Sequence, residues 1–563
     1  MDQKPKPNTF DAIVVGTGIS GGWAAKELCE RGLETLVLER GRGVNHPMDY
    51  TTAFKAPWEL PHGDRLTAAD RKRMPVQNRS GVVLQSNKHW FVDDEQNPYV
   101  AEKPFDWIRG YHVGGRSITW GRQSYRFSDL DFSANAADGV GVDWPIRYAE
   151  LAPWYDHVEE FIGVSGSREG LSQLPDGKFL PPMEMNCLEG HMASRINARF
   201  PDRRVIVGRT ANLTRPIQGR GQCMYRNLCE RGCPFGAYFS SPSSTLPAAS
   251  ATGRMTLRPH AIVSEVIYDD VQGKAVGVRI IDALSKKTEE FFARVIFLTA
   301  STLGSTFIML NSLSRRFPNG LGNDSGELGH NLMDHHFMAG AWGEYGGLTD
   351  RYYTGRRPNG IYIPRFKNLG KQKRAPYLRG FGFQGGATRD DWRRTVAEMR
   401  VGLALKSALA EPGKWNIGIT GFGECLPYHE NRVTLDRERL DPFGLPQLSI
   451  RCEFGANERE MRKEMPSAAA ELLEAAGLER VTPFDDGSTP GNAIHEMGTA
   501  RMGRDPKTSV LNAYNQVHGA ENVFVTDGAC MTSSACQNPS LTYMALTARA
   551  AAFAVSELGK GQL

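Results

Sequence analysis

Apolar residues near the N-terminus come in short runs. Asp11-Ala-Ile-Val-Val15 is one and Thr35-Leu-Val-Leu38 is another. Between them Ala24, Ala25, Leu28 and Cys29 recur at helical spacing. The pattern predicts a buried strand, a helix with one apolar face and a second buried strand. The runs 258–263, 276–280, 295–299 and 523–526 predict further strands, and the Ala-rich stretch from Leu541 to about Leu558 predicts a helix. Between about 340 and 494, the segments 415–424 and 432–435 read as strands and 458–476 as a helix. The charged run Glu458-Arg-Glu-Met-Arg-Lys-Glu464 reads as that helix's solvated face. No stretch approaches the ~18–20 continuous apolar residues of a membrane span.

The 563 residues leave room for two to four domains at about 150 residues each. Lys and Arg number 67 against 63 Asp and Glu, a formal charge of +4. So small an imbalance argues against a protein held to nucleic acid by phosphate contacts. The opening MDQKPKPNTF has no apolar core, so no secretion signal is expected in it. Nine cysteines are too sparse for a disulfide scaffold, yet three of them fall between 223 and 233.

The turn after the first strand reads Gly16-Thr-Gly18-Ile-Ser-Gly21, and the second strand ends at Glu39-Arg40. Strand, GxGxxG, helix, strand and acid together predict a dinucleotide-binding βαβ unit. Gly16 permits the sharp turn, Gly18 lets the backbone approach a pyrophosphate, and Gly21 permits close packing of helix on strand. Free N–H groups at the helix start suit the anion, and Glu39 can accept hydrogen bonds from ribose hydroxyls. The motif leaves FAD and NAD open, and a glycine-rich turn without a ligand is the bland alternative. Far along the chain, His495-Glu-Met-Gly-Thr499 lacks the second histidine of a zinc protease. Asn538 and Pro539 suit the cap and first position of the last helix.

Cys223, Cys229 and Cys233 form a C-x5-C-x3-C run followed by Pro234. Thiolates suit zinc or iron–sulfur clusters. A structural zinc wants four ligands and this run supplies three; a three-iron cluster wants three. Arg220, Arg226 and Arg231 would offset thiolate charge. On spacing alone, three free thiols, or a disulfide and one thiol, remain open.

Taken together, these pieces resemble the glucose–methanol–choline (GMC) oxidoreductases, a family of FAD enzymes that oxidise alcohols. The resemblance covers nearly the whole chain. It runs through the N-terminal unit, Gly114-Gly115-Arg116-Ser117 and Gly329-His-Asn-Leu-Met-Asp334-His335. It continues through Asn431-Arg-Val-Thr-Leu435, Gly444-Leu-Pro446, His495-x-x-Gly-Thr and Asp527-Gly528, in the family's order. It implies an α/β fold in two parts. A Rossmann-like FAD-binding domain would take 1–145, 222–335 and 495–563. A substrate domain with an antiparallel sheet would take 146–221 and 336–494.

The resemblance implies FAD contacts from Gly16, Gly18, Gly21, Glu39 and Arg40, and from Gly114, Gly115, Ser117 and Thr119. Val263, Ala300, Asp527, Gly528, Asn538 and Pro539 complete that set. His495 matches the family's catalytic base, and Asn538 its second active-site position. The start of the last helix would face the flavin and favour its anionic reduced form by ~0.5–2 kcal/mol. His335 and His336 match a structural segment and carry no expected chemistry. Thr119 stands where the pyranose oxidases of the family carry a histidine joined to FAD, which implies noncovalent FAD here.

The cysteine spacing resembles that of the catalytic large subunits of bacterial FAD-dependent glucose, fructose, gluconate and glucoside 3-dehydrogenases, which carry a [3Fe-4S] cluster. The implied function is a sugar or glycoside dehydrogenase acting on a secondary hydroxyl, with glucoside 3-dehydrogenation the leading substrate reading. The implied partners are a small helical subunit with a twin-arginine signal and a c-type cytochrome. Such a partner would carry the chain to the periplasm; without one it would stay in the cytoplasm. Two competitors stand beside this reading. One is an oxygen-using sugar oxidase of pyranose-oxidase type without a cluster. The other is a noncatalytic flavin- or NAD-binding subunit.

Overall fold

The computed structural model describes residues 8–352, 358–370, 375–390, 401–410 and 413–563. Its larger sheet has eight strands. Thr9–Val15 lies in the middle, with Thr35–Leu38 and then Met255–Arg258 on one side, all parallel. On the other side lie Thr288–Leu298 and Ala520–Val525, also parallel, and the short strand Gln516–Val517 closes that edge as an antiparallel hairpin. Ala12, Ile13 and Val14 are fully buried. Burial on both faces is why these strands read as continuous apolar runs rather than as alternation. Each fully buried Val or Ile contributes about 1.5–3 kcal/mol.

The strand Thr288–Leu298 joins two parts of this one sheet. Its first half pairs antiparallel with Lys274–Asp282, and its second half enters the parallel layer. The apolar run 258–263, expected as one strand, is broken in two. His260 sits at φ 59°, in the left-handed region, and turns the chain. Residues before it pair with Thr35–Leu38, and residues after it form Ala261–Asp269 against Lys274–Asp282. The stretch 146–221 also divides. Its helix Tyr148–Ile162 packs against the C-terminal helix Ser540–Gly559, in the core of the large sheet. Its later pieces, Cys187–Arg199 and Ile206–Val207, join the second sheet.

That second sheet is antiparallel and six-stranded, in the order Glu479–Asp485, Ala339–Tyr345, Trp415–Gly423, Phe381–Arg389, Ile361–Ile363 and Ile206–Val207. The helix Ala456–Ala475 covers one face, burying Met461, Met465, Leu472 and Leu473 against Phe381, Phe383, Ile417 and Ile419. Strand side chains alternate between faces. Gln384 and Phe422 therefore point the other way, toward the large sheet. A small third sheet, Arg432–Leu440, Pro446–Arg451 and Val100–Ala101, flanks the two.

Candidate active site

One cavity of about 610 Å³ runs from the carboxyl ends of the parallel strands to the exposed face of the antiparallel sheet. Ligands of open α/β sheets bind outside those carboxyl ends. Gly16 and Gly18, Glu39 and Arg40, and Thr299 and Ala300 line it where three strands stop. Gly115, Ser117, Thr119 and Val263 line it from the sides, and Asp527, Gly528, His495 and Asn538 from the far end.

Three predicted cofactor residues stand behind this wall. Gly114 is held by its N–H to Thr17 Oγ1, 2.9 Å. Pro539 precedes the last helix, whose Ser540 and Tyr543 reach the cavity. A Cβ on Gly21 would lie 2.0 Å from the Gly16 carbonyl oxygen, so only glycine lets the first helix, Ile19–Glu30, sit this close to the first strand. A Cβ on Gly18 would meet no atom within 4 Å; its absence leaves open the space that a pyrophosphate needs. That helix carries no acid in its first turn, so its positive end faces the gap uncompensated. A long cavity, an open cradle at Gly18 and a bare helix start fit a dinucleotide of FAD's length. Glu39 is tied more firmly than expected: its carboxylate accepts from the Thr17 N–H and hydroxyl and from the Gly41 N–H.

At the other end of the cavity, His495 and Asn538 meet. Asn538 Nδ2 is 3.3 Å from His495 Nε2. Asn538 does not cap its helix, which starts at Ser540 without a side-chain cap. Its Oδ1 accepts from Gln384 Nε2 at 2.6 Å. Behind His495 lies His335, with Nδ1 to Nδ1 at 2.8 Å and the rings nearly perpendicular. His335 Nε2 is 2.8 Å from the Ala535 carbonyl oxygen.

This geometry fixes the protons. A carbonyl oxygen only accepts, so His335 carries its hydrogen on Nε2. Burial pulls His335 down to about 4, so the ring is neutral and its Nδ1 is an acceptor. His495 must then donate from Nδ1, which leaves a lone pair on Nε2. Burial first, then the neighbouring His335, which would share any added proton, and the Arg116 charge hold His495 well below the usual histidine range. The chain thus presents a neutral imidazole base to the cavity.

The backbone at His495 is held as firmly as its ring. Ile494 sits at φ 63°, a conformation that a β-branched residue rarely adopts. The Asp334 carboxylate accepts from the N–H groups of Gly491, Ala493 and His495 at 2.7, 3.2 and 3.0 Å and over-determines that turn. Burial, with the Glu496 charge adding to it, pushes Asp334 up to about 7. Arg116 bonds Glu496 from the cavity wall. Phe337 and Phe422 stack at 5.3 Å and line the cavity beside His495. Sequence reasoning missed His335 and Gln384. His335 lay inside a quoted segment but was given no chemistry; Gln384 lies on a glycine-rich strand with no motif to mark it.

Cys223, Cys229 and Cys233 are free thiols that line a second, small cavity of about 30 Å³. Pro358 belongs to the walls of both cavities. Among the described residues, no group of three His, Cys, Asp or Glu side chains is arranged to hold a metal ion. Burial pushes Cys229 up to about 11, so its thiol is neutral when free. The three arginines expected to balance thiolate charge are engaged elsewhere. Arg220 bonds the Phe161 and Ile162 carbonyls, Arg226 the Ala53 carbonyl, and Arg231 the Lys55 carbonyl and Asp64. A cation that acts on the thiols is Arg122, 4% exposed, which donates to the Trp120 carbonyl and pairs with Glu230 while its Nε has no hydrogen-bond partner among the described residues.

A flavin-sized cavity ending at a neutral histidine and an amide defines an oxidoreductase acting on CH–OH groups. The chain belongs to the GMC oxidoreductases: the family's N-terminal model matches residues 10–337 and its C-terminal model residues 427–547. It is 27% identical to 2-methyl-1,2-propanediol dehydrogenase of Mycolicibacterium austroafricanum, over 96% of this chain and 94% of that one. It is 25% identical to the fructose dehydrogenase large subunit of Gluconobacter japonicus, over 98% of each. Among solved structures, pyridoxine 4-oxidase from Mesorbium loti shares the fold, with a TM-score of 0.61 at 16% identity over 96% of this chain and 98% of that one.

Proposed function

We propose that this chain is the catalytic subunit of a sugar or glycoside dehydrogenase that oxidises a ring secondary hydroxyl, glucoside 3-dehydrogenation being the leading case. The observation that carries the reading is the His335–His495–Asn538 arrangement. The substrate hydroxyl donates to His495 Nε2 and accepts from Asn538 Nδ2. His495 takes the hydroxyl proton as the carbon loses hydride, and Asn538 stabilises the oxygen without competing for that proton. A positioned base of this kind contributes roughly 10²–10⁴-fold. Noncovalent FAD, when bound, supplies the hydride acceptor. Thr119 offers no ring nitrogen for a covalent bond.

The three cysteines would hold a [3Fe-4S] cluster, which supplies one-electron transfer to an outside acceptor. Supporting this, the three thiols line one and the same small cavity. The orphaned guanidinium nitrogen of Arg122 lies beside them, and one residue, Pro358, is common to both cavities. The resemblance to a protein named as a large subunit supports a partner subunit; in our reading that partner is small and helical, carries a twin-arginine signal and takes the chain to the periplasm. A second reading is an oxygen-using sugar oxidase in which the three cysteines bind nothing; the observation on its side is that burial keeps the Cys229 thiol protonated.

The test is the visible spectrum of the purified protein before and after anaerobic methyl glucoside, with iron and sulfide analysis. Flavin bands over a broad iron–sulfur background, with the flavin bleaching, support the dehydrogenase. Bleaching without iron, and fast peroxide formation in air, support the oxidase. No bleaching refutes both.

A further inference from the structure

The hydrogen bonds around His495 form one directed chain. The Ala535 carbonyl accepts from His335 Nε2, His335 Nδ1 accepts from His495 Nδ1, and His495 Nε2 accepts from Asn538 Nδ2. Asn538 Oδ1 is then left to accept, and it accepts from Gln384 Nε2. Each amide orientation follows from the one before it. The last member, Gln384, is left with its Oε1 free among the described residues, in the cavity wall and partly exposed.

We propose that Gln384 Oε1 is a second substrate site, which accepts a hydrogen bond from the hydroxyl next to the one being oxidised, so that the enzyme selects vicinal diols. The inference rests on the proposed function and deepens it. The reacting hydroxyl sits between His495 and Asn538. Gln384 stands one amide beyond Asn538, on a strand that positions it rigidly in the opposite sheet. A neighbouring hydroxyl reaches Gln384 without moving the first. The stacked Phe337 and Phe422 supply an apolar wall for the C–H face of the same ring. A mono-alcohol fills the first position and leaves Gln384 Oε1 unpaired under the substrate.

The experiment measures flavin reduction by methyl glucoside and its monodeoxy and deoxyfluoro derivatives in stopped flow. One deoxy position abolishes reduction and marks the reacting hydroxyl. In the wild type, removing the hydroxyl beside it lowers the second-order rate constant about tenfold. Fluorine at that position gives no rescue, because fluorine cannot donate. Gln384→Met slows every substrate by loosening Asn538, but the neighbouring deoxy penalty falls below about twofold. Gln384→Glu keeps an acceptor for the neighbouring hydroxyl but, as a carboxylate, cannot donate to Asn538 Oδ1, so it slows every substrate as Gln384→Met does and keeps the penalty. An equal penalty in the wild type and Gln384→Met, or rescue by fluorine, overturns the inference while leaving the dehydrogenase intact. Fluorine rescue in the wild type overturns the inference even if Gln384→Met does not fold. A wild type whose flavin is not bleached by methyl glucoside refutes the proposed function, and this inference with it.

Discussion

His335 and His495 face each other through their Nδ1 atoms, 2.8 Å apart, with a single hydrogen between them. His335 is the acceptor because its Nε2–H is committed to the Ala535 carbonyl. Ala535 itself sits at φ 53°, a left-handed turn that sets the direction of that carbonyl. The residue that receives the substrate proton is therefore prepared by one that never touches substrate.

This relationship predicts the behaviour of two variants at 335. His335→Leu removes the acceptor, so His495 gains by moving its hydrogen to Nε2 and becomes a donor facing the cavity. Flavin reduction should fall by roughly 10²–10⁴-fold with little change in substrate affinity. His335→Gln can accept from His495 through its oxygen and donate to Ala535 through its nitrogen. It should stay within about tenfold of the wild type. Stopped-flow reduction of the two variants checks this. Equal losses in both would show that His335 is only packing.

A second prediction concerns pH. His495 is held below the usual histidine range by burial first, then by the neighbouring His335 and the Arg116 charge. A depressed value means that the active, neutral form persists as pH falls past about 6.5, where a free histidine would protonate. The reduction rate should be level from about pH 7 to 9, with its acid limb below about 6.5. Arg116→Met removes a nearby cation and leaves Glu496 unpaired. Both changes favour imidazolium, so the acid limb should move up in pH. A limb that stays in place would assign the control of His495 to burial alone.

A third prediction separates two glycines of the same motif. Gly18→Ala adds a Cβ where no protein atom lies within 4 Å, at φ −64°, so the fold should tolerate it. That carbon occupies the pyrophosphate cradle, and FAD affinity should fall by roughly tenfold or more. Thermal melting of the apoprotein should match the wild type, with the rise on adding FAD lost. Gly21→Ala places a methyl 2.0 Å from the Gly16 oxygen and 2.8 Å from Thr299 Oγ1. It should destabilise the chain by about 1–3 kcal/mol with or without FAD. Unfolding of the two variants with and without FAD reads both effects.

The legible parts of this molecule are those where local chemistry and fold coincide. The strand Thr9–Val15 is apolar because it is buried on both faces, and Gly16, Gly18 and Gly21 are glycines because backbone or ligand passes where a Cβ would be. The antiparallel strands Ala339–Tyr345 and Phe381–Arg389 were not legible. They hold a single β-branched residue, Thr388, and carry glycines. A Cβ on Gly385 would strike the Gly418 oxygen at 2.1 Å and one on Gly360 the Gly385 oxygen at 1.7 Å, so close strand approach replaced the apolar pattern. His260 broke one apolar run through a backbone angle that no side-chain pattern encodes. His495 and Asn538 were marked by motif, whereas Gln384 and His335 acquire meaning only through contacts 154 and 160 residues away in sequence.

The last prediction concerns the cysteines. Cys229 is buried and neutral as a free thiol, so loading metal must displace its proton and leave charge behind. Arg122, buried beside it with an unpaired nitrogen, is the group placed to balance that charge. If a cluster is held, the purified protein should contain about three iron atoms per chain. Serine at 223, 229 or 233 should remove the iron and the broad visible absorption while FAD stays bound, because the cysteines lie outside the FAD cavity wall. Substrate should still bleach the flavin in each variant, since His495 and Asn538 are untouched. Arg122→Leu should lower iron occupancy with the three thiols intact. Iron, sulfide and flavin assays on one preparation of each variant decide it. Serine variants with unchanged spectra and iron content would make the three cysteines plain thiols and leave the flavin to deliver its electrons directly.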